Sequence, residues 1–100
     1  MKAKGAHVYI MSNQKRTTLY IGETVDLITR VYQHKKGIGS IFTSKYKCFD
    51  LIYYEFHDSL EAAIEKEKQL KKWNRSWKEN LIKSINPNLK DLSDSIEGCD

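Results

Sequence analysis

Ala6-His7-Val8-Tyr9-Ile10-Met11-Ser12 and, after a polar connection, Thr18-Leu19-Tyr20-Ile21-Gly22 are the stretch that decides the fold. Both runs are rich in β-branched and aromatic residues, which suit a pleated, half-buried surface. The connection from Asn13 to Thr17 carries Lys15 and Arg16 and reads as a hairpin loop. So short a span cannot hold a parallel crossover, and the two runs are therefore expected to pair antiparallel, with Gly22 closing the second. Tyr9 and Tyr20 stand eleven residues apart, and Arg30 and His34 follow ten and fourteen residues after Tyr20. If the strands and the helix carrying Arg30 and His34 pack together, two phenols, a guanidinium and an imidazole meet. That set of groups suits chemistry on a phosphodiester.

Further along, Thr24 reads as a helix N-cap, and Asp26 in the first turn complements the helix dipole. Leu27, Ile28 and Val31 recur at helical spacing, and the helix is expected to end near Lys36-Gly37. Gly37 to Ser40 reads as a flexible loop leading to Thr43-Ser44-Lys45. It is no P-loop, because no Gly-Lys-Ser/Thr follows it. Residues 49–56 read as a third strand. Asp58 or Ser59 can cap a long helix from Leu60 to about Trp73, and Ser76 a further one ending near Ile85, before Asn86-Pro87. Trp73 and Trp77, at the junction of these helices, are expected to pack rather than stack on bases.

One hundred residues fit a single domain, read as 1–92 with an acidic, flexible tail over 93–100. All 17 Lys and Arg lie within residues 1–90, against 9 acids, whereas the last ten residues hold Asp91, Asp94, Glu97 and Asp100 and no base. A basic body favours a polyanionic partner through counterion release, although a lysine-rich soluble surface looks the same by charge alone. No apolar run is long enough to span a membrane and no signal segment opens the chain, so the expected compartment is the cytoplasm. Cys48 and Cys99 lack metal-ligand spacing and read as free thiols.

The long helix carries an anomaly. Leu60, Ala63, Ile64, Leu70 and the stem of Lys71 form its apolar stripe, and Glu67 falls inside it, whereas Glu61 and Glu65 sit on flanking faces. A carboxylate on the core side must be paired, bind a cation or border a cleft. The plain reading is a Glu67–Lys71 ion pair at i, i+4. Asp26, Arg30 and His34 likewise share one helix face, where an Asp26–Arg30 pair with an exposed histidine is the plain reading.

Taken together, Val8 to Gly22, Leu19-Tyr-Ile-Gly-Glu-Thr24, Asp26-Leu27, Arg30-Val-Tyr-Gln-His34, Glu67-Lys-Gln-Leu-Lys-Lys-Trp73 and Asn86-Pro87 resemble the GIY-YIG nuclease family, and more narrowly its small single-domain bacterial members. The likeness covers roughly residues 6 to 92. The first triplet keeps its tyrosine but reads His7-Val8-Tyr9, and Glu23 stands where many relatives carry an uncharged residue. The resemblance implies an α+β fold, a three-stranded antiparallel sheet flanked by helices. It also implies a metal-dependent endonuclease that cuts nucleic acid, DNA in preference to RNA, leaving a 3′-hydroxyl and a 5′-phosphate.

By that resemblance the catalytic residues are Tyr9, Tyr20, Arg30, His34 and Glu67. Glu67 holds one divalent cation, Mg2+ or Mn2+, with waters and a substrate phosphate oxygen completing its shell. Tyr9 is favoured as the base and Tyr20 as its hydrogen-bonding partner, with a nearby cation (Arg30, Lys45 or the metal) favouring phenolate. Arg30 grips non-bridging oxygens in a fork, and His34 bonds the phosphate or relays a proton from Tyr9. Lys35, Lys36, Lys45 and Lys47, around the Gly37–Ser44 loop, are read as nucleic-acid contacts, and Asn86 as a support for the metal site or phosphate. The alternatives are a nucleic-acid-binding module that keeps the fold without turnover, and a protein-interaction domain.

Overall fold

In the computed structural model of the chain, which describes residues 5–96, β1 (Ala6–Ser12) is the central strand of a three-stranded sheet. Its antiparallel neighbours are β2 (Leu19–Thr24) and β3 (Asp50–His57), in the order β2-β1-β3. Tyr9 lies opposite Gly22 and Tyr54, Ile10 opposite Ile21 and Tyr53, and Met11 opposite Tyr20. Opposed residues share a face, so β1 sends Val8 and Ile10 to one side and Tyr9 and Met11 to the other. A register shift on β3 leaves Ile52 unpaired between Leu51 and Tyr53, and so both Ile52 and Tyr53 join the face of Ile10.

The first face is hydrocarbon. Ala6, Val8, Ile10, Ile21, Ile52 and Tyr53 pack with Ala63 and Leu70 of a helix spanning Leu60–Lys72 and with Ile82 of one spanning Arg75–Ile85. The second face carries Tyr9, Met11 and Leu51. It is covered by Leu27 and Val31 of α1 (Leu27–Lys35), by Cys48 and by Ile96. Between the two helical layers in sequence lies α2 (Ile41–Lys45), so the long helix is α3 and its successor α4. Ser59 caps α3 as expected, accepting from Ala62 N at 3.1 Å. Trp73 packs against the first face and meets Trp77 edge-on.

Several boundaries differ from the sequence reading, each for a local reason. β2 runs through Gly22 to Thr24, because Gly22 sits in the ladder opposite Tyr9 and does not turn the chain. Asp26 rather than Thr24 caps α1. Thr24 Oγ1 takes the Asp26 N–H at 3.0 Å, which frees Asp26 Oδ1 to take that of Thr29 at 3.2 Å. Asn74, not Ser76, caps α4, accepting from Trp77 N at 2.8 Å. The expected loop at 37–44 contains α2, capped by Ser40.

The segment past Leu92 is not wholly loose either. Ser93–Ile96 form α5, a single turn in which Ile96 is buried. Asp91 anchors it: Oδ1 accepts from Leu51 N at 3.0 Å, and Oδ2 pairs with Lys35 at 2.8 Å. Glu97, Cys99 and Asp100 lie outside the described residues.

Candidate active site

Strand alternation and one helix face bring Tyr9, Tyr20, Arg30 and His34 together on the second face of the sheet. Tyr9 and Tyr20 project from adjacent strands with ring centroids 6.3 Å apart. His34, near the C-terminal end of α1, lies 5.5 Å from the Tyr9 ring and 5.4 Å from that of Tyr20. Its Nε2 is 2.8 Å from the Tyr9 hydroxyl, in a wholly buried contact. Arg30, one turn earlier, faces both phenols and donates to Gln33 Oε1 at 3.0 Å. Tyr20 and Arg30 are partly exposed whereas Tyr9 and His34 are buried.

Two glycines make this packing possible. A Cβ on Gly22 would stand 2.6 Å from the Tyr9 hydroxyl, so bare backbone is required beside it. A Cβ on Gly39 would stand 2.2 Å from His34 Nδ1, so the loop backbone is pressed onto the imidazole. The far edge of that ring faces α2, where Thr43 Oγ1 is 3.0 Å from Nδ1. Thr43 is buried, and Ser40 lies behind it with the two hydroxyls 2.9 Å apart. Neither Gly39 nor Thr43 stood out in the sequence. The usable signal was Ser40 at a capping position with a second hydroxyl three residues on.

Burial sets the protonation states. It pushes the Tyr9 phenol above its ordinary range, and the opposing pull of Arg30 is weaker; Tyr20 and Glu23 add to the rise. Arg30 does favour phenolate, as expected, but loss of solvation outweighs it in the resting protein. Burial, with Arg30 adding to it, holds the His34 pKa down at about 4. At neutral pH the imidazole is uncharged and has a lone pair to offer. Contact with Tyr9 pushes the Arg30 guanidinium further up, so it stays a cation throughout.

Glu67 makes no hydrogen bond or ion pair with these four among the described residues. It lies on α3 between Ala63 and Leu70, on the helix that covers the hydrocarbon face, and its carboxylate pairs with Lys71 at 2.6 Å. Its side chain is 18% exposed, and among the described residues Lys71 is its sole polar partner. Among the described residues, no group of three or more His, Cys, Asp or Glu side chains gathers in metal-ligating range.

The remaining expected contacts divide. Lys36, Lys45 and Lys47 are exposed; Lys36 lies over the Tyr32 ring and Lys45 over that of Tyr46. Lys35 donates to Phe49 O at 2.9 Å and to Asp91, a structural tie. Asn86 is buried; its Nδ2 donates to Ile52 O and Lys90 O and its Oδ1 accepts from Lys90 N, so both amide hydrogens are taken up by backbone and none is left to donate to a phosphate.

Comparison with known proteins finds relatives of the chain. A model described as the GIY-YIG catalytic domain matches residues 5–80. The chain is 39% identical over 75 residues to a UPF0213 protein of Pediococcus pentosaceus, covering 75% of this chain and 79% of the relative. It is 37% identical over 78 residues to one of Syntrophus aciditrophicus, covering 77% and 88%. The solution NMR structure of the UPF0213 protein BH0048 from Bacillus halodurans superposes with a TM-score of 0.55 at 24% identity, covering 95% of this chain and 97% of that one, a likeness of fold.

Proposed function

The chain belongs to the GIY-YIG nuclease family, and on that premise we propose that it is an endonuclease hydrolysing phosphodiester bonds of nucleic acid, DNA above all. The observation that carries this reading is the buried Tyr9–His34 bond with the imidazole uncharged. A phenol so far above its normal range is no resident phenolate. It can still act as a base if it surrenders its own proton as it takes one from water, and Nε2 is placed to receive that proton. Tyr20 orients the attacking water beside Tyr9. Arg30 forks onto the non-bridging oxygens and stabilises charge that develops there, where a lysine offers only a point charge. The products are a 3′-hydroxyl and a 5′-phosphate.

A divalent ion fits the donor chemistry present. A lone carboxylate, with waters and phosphate oxygen, suits magnesium or manganese, and Glu67 is partly exposed. Glu67 would hold the ion once Lys71 yields it, and the ion would supply charge stabilisation at the leaving oxygen. Lys36, Lys45 and Lys47 would follow the backbone of the substrate.

One observation favours the alternative of a binding module without turnover: the Glu67 carboxylate bonds only to Lys71 among the described residues. A cleavage screen over linear, nicked, branched and single-stranded substrates with magnesium and manganese separates the two readings. Nicking that falls by roughly a hundredfold or more in Arg30→Ala, Tyr9→Phe and Glu67→Ala supports the nuclease. Tight, salt-sensitive binding with no product in either metal supports the module.

A further inference from the structure

Behind the imidazole lies a residue that family resemblance assigned no part. His34 has two ring nitrogens, and only one of its two neutral tautomers can accept a proton at Nε2. Two proton arrangements are conceivable along Tyr9, His34, Thr43 and Ser40. In one, Thr43 donates its hydroxyl hydrogen to Nδ1, Nε2–H donates to the Tyr9 oxygen, and the Tyr9 hydrogen is left over. Tyr9 is buried, and among the described residues His34 Nε2 is the one acceptor its hydroxyl meets, so this arrangement leaves a buried donor without a protein acceptor.

In the other arrangement every group is satisfied. Tyr9 O–H donates to Nε2 at 2.8 Å, Nδ1–H donates to Thr43 Oγ1 at 3.0 Å, and Thr43 passes its own hydrogen to Ser40, whose carbonyl lies 3.3 Å away and whose hydroxyl lies 2.9 Å away. Backbone at Gly39 presses on the ring beside Nδ1, which holds its edge toward Thr43. Ser40 Oγ in turn caps α2 by taking the Thr43 N–H at 3.1 Å, which fixes where the threonine sits.

We propose that Thr43 is a positioning residue: its hydroxyl selects the Nδ1–H tautomer of His34 and thereby leaves Nε2 free to take the Tyr9 proton. This rests on the nuclease reading for its catalytic consequence but not for its tautomer claim. Thr43→Val keeps the branched shape and removes the acceptor. Nδ1–H then faces a methyl group, and the imidazole is expected to switch to Nε2–H, donating to Tyr9 instead of accepting from it. Thr43→Ser keeps the hydroxyl and should keep the wild-type arrangement.

The test is the two-bond 1H–15N spectrum of histidine-labelled protein at neutral pH, recorded alongside the cleavage rate. The expected result is a pyridine-type Nε2 in the wild type and in Thr43→Ser, and a pyridine-type Nδ1 in Thr43→Val. In Thr43→Val, kcat should fall by roughly two to four orders of magnitude, the scale on which a wrong tautomer disables a hydrolase, with Thr43→Ser close to wild type. A wild-type His34 protonated on Nε2 overturns the proposal, and so does a Thr43→Val chain whose tautomer is unchanged or whose kcat is preserved. The spectrum is read without substrate, so it can fail while nuclease activity stands, and it can hold where no substrate is cleaved.

Discussion

The two faces of the sheet are built from alternate residues of the same strands, yet they answer to different rules. Beneath α3 and α4, Val8, Ile10, Ile21 and Ile52 meet Ala63, Leu70 and Ile82 in an apolar layer. Above the other side, Tyr9 is hydrogen-bonded to His34 and His34 to Thr43, with the Tyr20 ring and Arg30 beside them. The first layer needs volume and tolerates any shape that fills it; the second needs particular atoms at particular places. Strand periodicity therefore separates the apolar core from the candidate site.

The sharpest way to break that division is to strike each face once. Leu70→Ala, at a fully buried position, should cost about 2–5 kcal/mol by chemical denaturation while the folded fraction retains its cleavage rate. Gly22→Ala should do the converse. Its methyl group must displace the Tyr9 hydroxyl, and cleavage should fall by roughly a hundredfold or more for a smaller loss of stability. Equal losses of activity per folded molecule in both variants would erase the distinction.

A second prediction concerns protons on the polar face. The His34 pKa is about 4 in the folded chain, below its ordinary value of 6.5. Between those values the unfolded chain binds more protons than the folded one. Stability is therefore full above pH 6.5 and declines toward pH 4, by about 3 kcal/mol over the window. His7, lowered mainly by burial, acts in the same direction. Urea titrations at stepped pH should show the decline, and a His34→Gln chain that declines just as steeply would refute it.

The smallest effect belongs to the boundary between the layers. Lys71 is half-exposed, so Lys71→Ala should change stability by less than about 1 kcal/mol while releasing Glu67. Magnesium titration of that variant should reach half-maximal cleavage at a lower concentration than wild type. A higher requirement would count against Glu67 as the ion's ligand.

Much of this was legible in one dimension. The seven residues of β1, the antiparallel pairing with β2, the i, i+4 spacing of Arg30 and His34, and the cap at Ser59 all follow from local preferences that tertiary packing reinforces. The Glu67–Lys71 pair was visible as the plain reading of their spacing. What could not be read were effects that exist only between distant segments. Gly22 looks like a turn until Tyr9 is placed opposite it, and α2 looks like a loop until Thr43 has a histidine to meet. Asn86 was read as a support for the metal site or phosphate, but its amide bonds to backbone groups of β3 and Lys90. The direction of the Tyr9 shift also lay beyond the sequence, since it turns on the balance between lost solvent and one arginine.

The tie made by Asp91 to Lys35 and to the Leu51 amide has a consequence in time as well as space. During synthesis on the ribosome the whole sheet and the helix bearing Arg30 and His34 emerge before this carboxylate does. A nascent chain short of residue 91 thus has every strand and every member of the tyrosine–histidine pair, but lacks the mooring that joins the end of that helix to the sheet.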